Sequence, residues 1–88
     1  MYQVYKRGYT EHKELGVCIP YDYTYGSFHT EEKANKEFSK VLDAQLRHNA
    51  ENGLKPDTRY DFDLVQMTFK GEDEETFIEI GIYQTDQK

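Results

Sequence analysis

The stretch TEEKANKEFSKVLDAQLRHNAENG, residues 30–53, decides the fold because it carries the pattern and both end signals of one long helix. Thr30 can cap the first turn with its hydroxyl, and Asn52-Gly53 provides a left-handed stop before Pro56. Side chains recur at intervals of three and four residues, which places one apolar stripe on a helix: Ala34, Phe38, Val41, Leu42 and either Gln45 or Leu46. The pattern predicts a helix over Thr30 to Asn52 that covers one face of a sheet.

Strand-like segments precede this helix. Residues 2–6 and 15–19 favour a hairpin, because both are rich in apolar and aromatic side chains. The polar stretch 7–14 between them is expected to be the connection. Pro20 lacks a backbone donor, so a strand that continues past it must lie at a sheet edge or stop there.

A second hairpin is predicted after the helix. Residues 59–69 and 75–84 form its strands, with the turn at residues 70–74. In the last strand, three isoleucines are expected to face the core: Ile78, Ile80 and Ile82. Within residues 59–69 the alternation changes phase near Leu64, which indicates either a bulge or cover on both faces.

These elements predict an α+β fold in ββαββ order, with a four-stranded, mainly antiparallel sheet and one long helix packed on one face. The 88 residues suffice for a single domain over residues 1–88. The other face of the sheet has no predicted cover. It is expected to carry aromatic side chains, which indicate contact with another chain or a ligand, and the set is drawn from Tyr5, Phe77, Tyr83 and part of the row of tyrosines at residues 21–25.

Composition narrows the function classes. Only 36% of the residues are hydrophobic, but 8 tyrosines and 5 phenylalanines supply the burial that an ordered domain needs. The formal net charge of −6 repels phosphate backbones, so direct nucleic-acid binding is not expected. The sequence shows neither a signal peptide nor a membrane-spanning segment, so no membrane partner and a cytoplasmic location are expected.

The leading candidate site is a row of tyrosines. Odd-numbered positions from Leu15 to Tyr25 fall on one side of an extended segment, which begins aliphatic and ends in amphipathic rings. We expect a contact surface for another protein here, formed by Tyr21, Tyr23, Tyr25 and Phe28. A minor aromatic core is the structural alternative. Base stacking on single-stranded nucleic acid is a third reading, which Asp22 opposes.

A second candidate is an acidic face that imitates nucleic acid. Alternate strand positions such as Asp61 and Asp63 would space carboxylates about 6.6–7 Å apart. The proposed face is completed by the acidic turn, and the full set is Asp61, Asp63, Glu72, Asp73, Glu74 and Glu75. Further acids could join it, namely Asp57, Glu79 and Asp86. A solvated turn is the simpler reading of the same residues.

Catalytic, metal and cofactor sites are not expected. Cys18 is the only cysteine and lies in an apolar run, which predicts a buried thiol. The histidines are scattered without metal-ligand spacing: His12, His29 and His48. The sequence therefore favours a small acidic protein-interaction module rather than an enzyme, an adaptor or inhibitor that masks a partner's surface. A nucleic-acid mimic is the alternative, and a homodimer is left open. Small inhibitors carried by mobile genetic elements have a similar composition.

Overall fold

The computed structural model describes residues 1–85, and Asp86 lies outside them. The described chain contains one helix and a five-stranded sheet: β1 (Tyr2–His12), β2 (Val17–Phe28), α1 (Glu31–Glu51), β3 (Asp57–Tyr60), β4 (Leu64–Lys70) and β5 (Glu74–Gln84). The strands are ordered β2-β1-β5-β4-β3, and all neighbouring pairs are antiparallel. The predicted α+β class, with one helix and an antiparallel sheet, is confirmed.

The predicted number of four strands is wrong because residues 59–69 form parts of two strands. β3 ends at Tyr60 and β4 begins at Leu64, and Asp61 N donates to Leu64 O at 2.8 Å across the turn between them. The change of phase near Leu64 is therefore a reversal of chain direction. It is neither a bulge nor a sign of cover on both faces.

The first hairpin is longer than predicted. β1 continues through the polar stretch 7–14 as far as His12, and the turn follows at residues 13–16. Gly16 closes this turn at φ 63°, in the left-handed region that glycine adopts without steric cost. β2 then runs through Pro20 at the edge of the sheet, where a missing donor is tolerated. Because β2 is an edge strand, the prediction of a buried Cys18 is wrong, and its thiol is exposed.

Both ends of the helix follow the sequence signals. Thr30 Oγ1 accepts a hydrogen bond from Lys33 N at 3.2 Å. At the other end, Gly53 adopts φ 65° and Leu54 N donates to Asn49 O at 2.8 Å. Gly53 N also donates to Ala50 O at 3.3 Å, which completes a Schellman motif. These bonds satisfy the carbonyls of Asn49 and Ala50, and the chain turns towards β3.

The core lies between α1 and one face of the sheet. The central strands β1, β4 and β5 supply most of the buried side chains, which pack with two helix residues: Val4, Val65, Met67, Ile78 and Ile80 with Ala34 and Val41. The predicted orientation of the isoleucines is confirmed, with Ile82 partly buried against this cluster. Gln45, rather than Leu46, faces inwards on α1.

Two buried amides of α1 are linked to the sheet by hydrogen bonds. Gln45 Nε2 donates to Asn49 Oδ1 at 2.9 Å, and Lys6 Nζ on β1 donates to Gln45 Oε1 at 2.7 Å. Asn49 Nδ2 approaches Met67 Sδ on β4 at 3.5 Å. These contacts satisfy polar groups that would otherwise destabilise a thin core.

The core position of Ile80 predicts a large effect of truncation. Ile80 is 0% exposed whereas Ile19 on β2 is 53% exposed. We expect Ile80→Ala to lower the free energy of unfolding by about 2–5 kcal/mol, and Ile19→Ala by less than about 1 kcal/mol. Urea denaturation followed by circular dichroism measures both. Equal losses in the two variants would contradict the assignment of the core.

Candidate functional site

A row of three tyrosines lies on the edge strand β2, and we call it the tyrosine stripe: Tyr21, Tyr23 and Tyr25. In the register of the first hairpin, Tyr21 is opposite Gly8 and Tyr23 is opposite Lys6. Directly opposite residues share a face of the sheet, and Lys6 reaches Gln45 of α1. The stripe therefore lies on the helix side of the sheet, beside α1, and the expectation that part of it lies on the uncovered face is wrong.

The tyrosine stripe is exposed because α1 does not cover this edge. Tyr23 is 60% exposed, and Tyr21 and Tyr25 are 37% and 38% exposed. The Tyr23 and Tyr25 rings lie 4.8 Å apart at 57°, a tilted pair. The predicted contact residue Phe28 is separate from the stripe, because it is partly buried against the core. The row continues towards the hairpin turn with two more exposed side chains, Val17 and Ile19.

A shallow groove separates the stripe from the helix. It has a volume of about 540 Å³ and lies between Tyr25 and α1, with Lys6 at its floor and with Glu37, Lys40 and His48 on the helix. Burial raises the pKa of Tyr25, and so does the neighbouring Tyr23. Burial also lowers the pKa of Lys6. The groove thus combines aromatic surface with groups of both charges, a composition that suits contact with another protein.

The opposite side of the sheet, which we call the far face, has a polar centre. The Glu79 carboxylate on β5 is 8% exposed and forms an ion pair with Arg7 on β1 at 2.8 Å. Arg7 Nε also donates to Glu79 Oε2 at 2.8 Å. Tyr5 donates its hydroxyl to the same oxygen at 3.0 Å, and Gln66 Nε2 donates to Glu79 Oε1 at 2.9 Å. A buried carboxylate thus holds three side chains from β1 and β4.

This centre changes the proton affinity of its members. Burial alone would raise the pKa of Glu79, but the hydrogen bonds from Gln66 and Tyr5 and the charge of Arg7 lower it below its usual value. Burial and the bond to Glu79 raise the pKa of Tyr5 to about 12. The charge of Glu79 raises the pKa of Arg7. At neutral pH the centre therefore holds one compensated charge pair and a neutral phenol.

Aromatic pairs lie on both sides of this centre, and they include the three residues that were expected on the uncovered face, Tyr5, Phe77 and Tyr83. The rings of Tyr5 and Tyr83 are 5.5 Å apart, and those of Tyr9 and Phe77 are 5.7 Å apart. The Arg7 guanidinium lies 5.3 Å from the centre of the Tyr5 ring. The Tyr5 ring lies directly over Gly81, where a Cβ would come within 2.6 Å of the Tyr5 hydroxyl oxygen. Neither Tyr9 nor the Arg7–Glu79 pair was predicted for this face from the sequence.

The predicted acidic residues fall into two separate groups. Asp61 and Asp63 lie in the turn between β3 and β4, so the expectation of alternate strand positions is wrong for them. The other four acids lie at the opposite end of β4, which has 7 residues, a distance of about 20 Å. They are Glu72, Asp73, Glu74 and Glu75. The buried Glu79 belongs to neither group.

The second acidic group has neighbours from the first hairpin. Lys13 N donates to Asp73 O at 2.9 Å, which brings the two turns side by side. Glu11 is directly opposite Glu75 in the pairing of β1 with β5. The end of the sheet therefore collects acids from the first hairpin and from the β4–β5 hairpin.

Among residues 1–85, no group of three or more histidine, cysteine, aspartate or glutamate side chains is arranged to hold a metal ion. No helix in the same range is both long enough and apolar enough to cross a membrane. Comparison with known proteins found no matching family model, no similar curated protein and no similar solved structure. Any functional conclusion therefore depends on the surfaces described above.

The lowered pKa of Glu79 predicts acid-sensitive stability. The stabilising bonds of ionised Glu79 are fully present above about pH 5 and are lost as the pH falls through its lowered pKa. We expect Glu79→Gln to lower the free energy of unfolding by about 1–3 kcal/mol at pH 7. The difference from the wild type should shrink as the pH falls below about 5 and through the lowered pKa of Glu79. Urea denaturation at several pH values measures this change.

The matched control is Glu74→Gln at the exposed start of β5. It should leave both the stability at pH 7 and its pH dependence close to those of the wild type. A constant difference between Glu79→Gln and the wild type over this pH range would show that the ionisation of Glu79 does not stabilise the fold.

Proposed function

We propose that this protein binds another protein through the tyrosine stripe, and that it acts as an adaptor or inhibitor by masking the partner's surface. The observation that supports this proposal is the exposure of the stripe, from 37% at Tyr21 to 60% at Tyr23, on a strand with one unpaired edge. Tyrosine supplies a large, rigid contact area together with a hydroxyl, and it is enriched at protein interfaces. A binding role, rather than catalysis, accounts for these features.

The two edges of the sheet differ in a way that favours β2 as the contact strand. β3 has only 4 residues, and two of them are charged, Asp57 and Arg59. Short, charged edges are a common protection against pairing with other chains. β2 has 12 residues, and its sequence VCIPYDYTYGSF contains a single charged side chain, Asp22. An extended segment of a partner could therefore add to the sheet at β2, with the stripe beside it.

Substitution of the stripe tests this proposal. We expect the double variant Tyr21→Ala/Tyr23→Ala to lose a partner that the wild-type protein captures from a lysate of its source organism. Loss of two central aromatic contacts should weaken binding at least about 30-fold. Tyr83→Ala is the matched control, because Tyr83 is 46% exposed but lies on the far face. Equal capture by the double variant and the wild type, measured by quantitative mass spectrometry, would refute the role of the stripe.

A second candidate function is a nucleic-acid mimic, now limited to one end of the sheet. It is favoured by the contact between Lys13 and Asp73, which places the acids of the β4–β5 turn beside those of the first hairpin. Several carboxylates at one end of the sheet could compete with phosphates for a basic protein surface. The tyrosines would then serve the structure alone.

Amide substitutions separate the two candidates. If mimicry is correct, a variant in which residues 72–75 carry amides should lose at least about tenfold in affinity for the captured partner, and excess double-stranded DNA should displace the partner from the wild type. The control is Asp61→Asn/Asp63→Asn, which changes the distant acidic group. Full binding by the 72–75 variant, with no displacement by DNA, would exclude mimicry.

A further inference from the structure

The far face has no cover from the described chain. α1 packs on the opposite face, and residues 1–85 contain no other helix. The Tyr83 side chain is 46% exposed and Tyr9 is 37% exposed, and the Arg7 side chain is 60% exposed. An uncovered sheet face with this density of aromatic side chains is typical of an interaction surface.

The area of the far face is close to the surface area that each partner buries in a stable dimer. The strands contain 11, 12, 4, 7 and 11 residues. Each strand residue occupies about 16 Å² of the sheet plane, from a rise of about 3.4 Å and a strand spacing of about 4.8 Å. The face therefore measures about 700 Å², close to the roughly 800 Å² that each partner buries in an interface of standard size.

The charge distribution allows a second copy to approach this face. The chain carries a net charge of −6, which opposes self-association through most of its surface. In the middle of the far face, however, opposite charges balance: Arg7 pairs with Glu79 and is opposite Asp22 on β2, and Arg59 on β3 lies in the same row of the sheet. The acidic turn at Glu72 and Asp73 lies at the end of the sheet, away from this centre.

The arrangement of side chains on β1 and β5 is self-complementary. Along these strands an aromatic pair is followed by the ion pair and then by a second aromatic pair: Tyr5 with Tyr83, Arg7 with Glu79, and Tyr9 with Phe77. A two-fold axis near the ion pair would bring each aromatic pair against an aromatic pair of the other copy. Two-fold contacts need such a pattern, because the same patch serves both partners.

We propose that the far face is a dimer interface, on which a second copy of this chain packs sheet against sheet. The two sheets would lie about 10 Å apart with their aromatic side chains interdigitated. Arg7 would be buried without an uncompensated charge, because Glu79 already pairs with it. Both helices and both tyrosine stripes would lie on the outside of the dimer and stay accessible to another partner.

Sedimentation equilibrium of the full chain tests this proposal. The wild-type mass should rise from 10.5 kDa towards twice that value as the concentration increases. Tyr9→Glu and Tyr83→Glu should each weaken dimerisation at least about tenfold, because they place unpaired charges in the interface. Tyr23→Glu, on the helix side, is the matched control and should dimerise like the wild type. Far-ultraviolet circular dichroism checks that each variant folds.

A dilution series by NMR provides a second measurement on the wild type and needs no folded variant. The Arg7 Nε–H signal should shift with concentration over the range in which the mass changes, whereas the side-chain amide of Asn52, which caps the end of α1, should not. A monomeric mass at all concentrations would overturn the proposal. Loss of the dimer in Tyr23→Glu alone, or a constant Arg7 signal during dimerisation, would do the same.

Discussion

The pairing of β1 with β5 is the constraint on which the rest of this structure depends. It joins the first hairpin to the last three strands over eleven residues in continuous register, from Tyr2 opposite Gln84 to His12 opposite Glu74. Without it the first hairpin, β1 and β2, would not be joined to the other three strands, because β2 pairs only with β1 and β4 lies between β5 and β3. These contacts join opposite ends of the sequence, so loop closure across α1 must precede them.

The same pairing creates both faces of the sheet at once. On the helix side it brings Val4 and Ile82 together, along with Lys6 and Ile80, and α1 covers this region. On the far face it places Arg7 opposite Glu79, whose carboxylate then receives bonds from Tyr5 and Gln66. A buried carboxylate is costly unless its oxygens accept enough hydrogen bonds. Four donor atoms of Arg7, Tyr5 and Gln66 bond to the Glu79 oxygens, which meets this requirement and fixes the central strands in one register.

Local signals explain which parts of the fold could be predicted from the sequence. Thr30 and Gly53 mark the ends of α1, and the isoleucines of β5 alternate at strand spacing, so these elements depend on neighbours in the sequence. The phase change near Leu64 was also visible, but a bulge and a three-residue turn give the same pattern. The polar residues after Tyr5 gave β1 no local strand signal. They form a strand because β2 and β5 supply partners on both sides.

In the candidate surfaces, too, local sequence patterns predicted some features, whereas others depend on residues far away in the sequence. Alternation predicted a common side for Tyr21 and Tyr23, but their exposure depends on how far α1 extends over the edge strand. Arg7 and Glu79 are 72 residues apart, and nothing near either residue identifies the other. The sequence signal available was a single acid between two core isoleucines in β5. Such an acid indicates a buried partner only once the opposite strand is known.

The position of Glu79 also explains how an uncovered aromatic face can exist on so small a protein. A sheet face of phenylalanine and tyrosine alone would offer a non-specific apolar surface and favour aggregation. The charge pair at its centre requires that any partner, a second copy included, provide acceptors for the remaining donors of Arg7. Tyr5 is held both over Gly81 and against Glu79, so its ring has little freedom to reorganise. The far face thus combines aromatic side chains with a fixed charge pair, and it lies on the opposite side of the sheet from the tyrosine stripe.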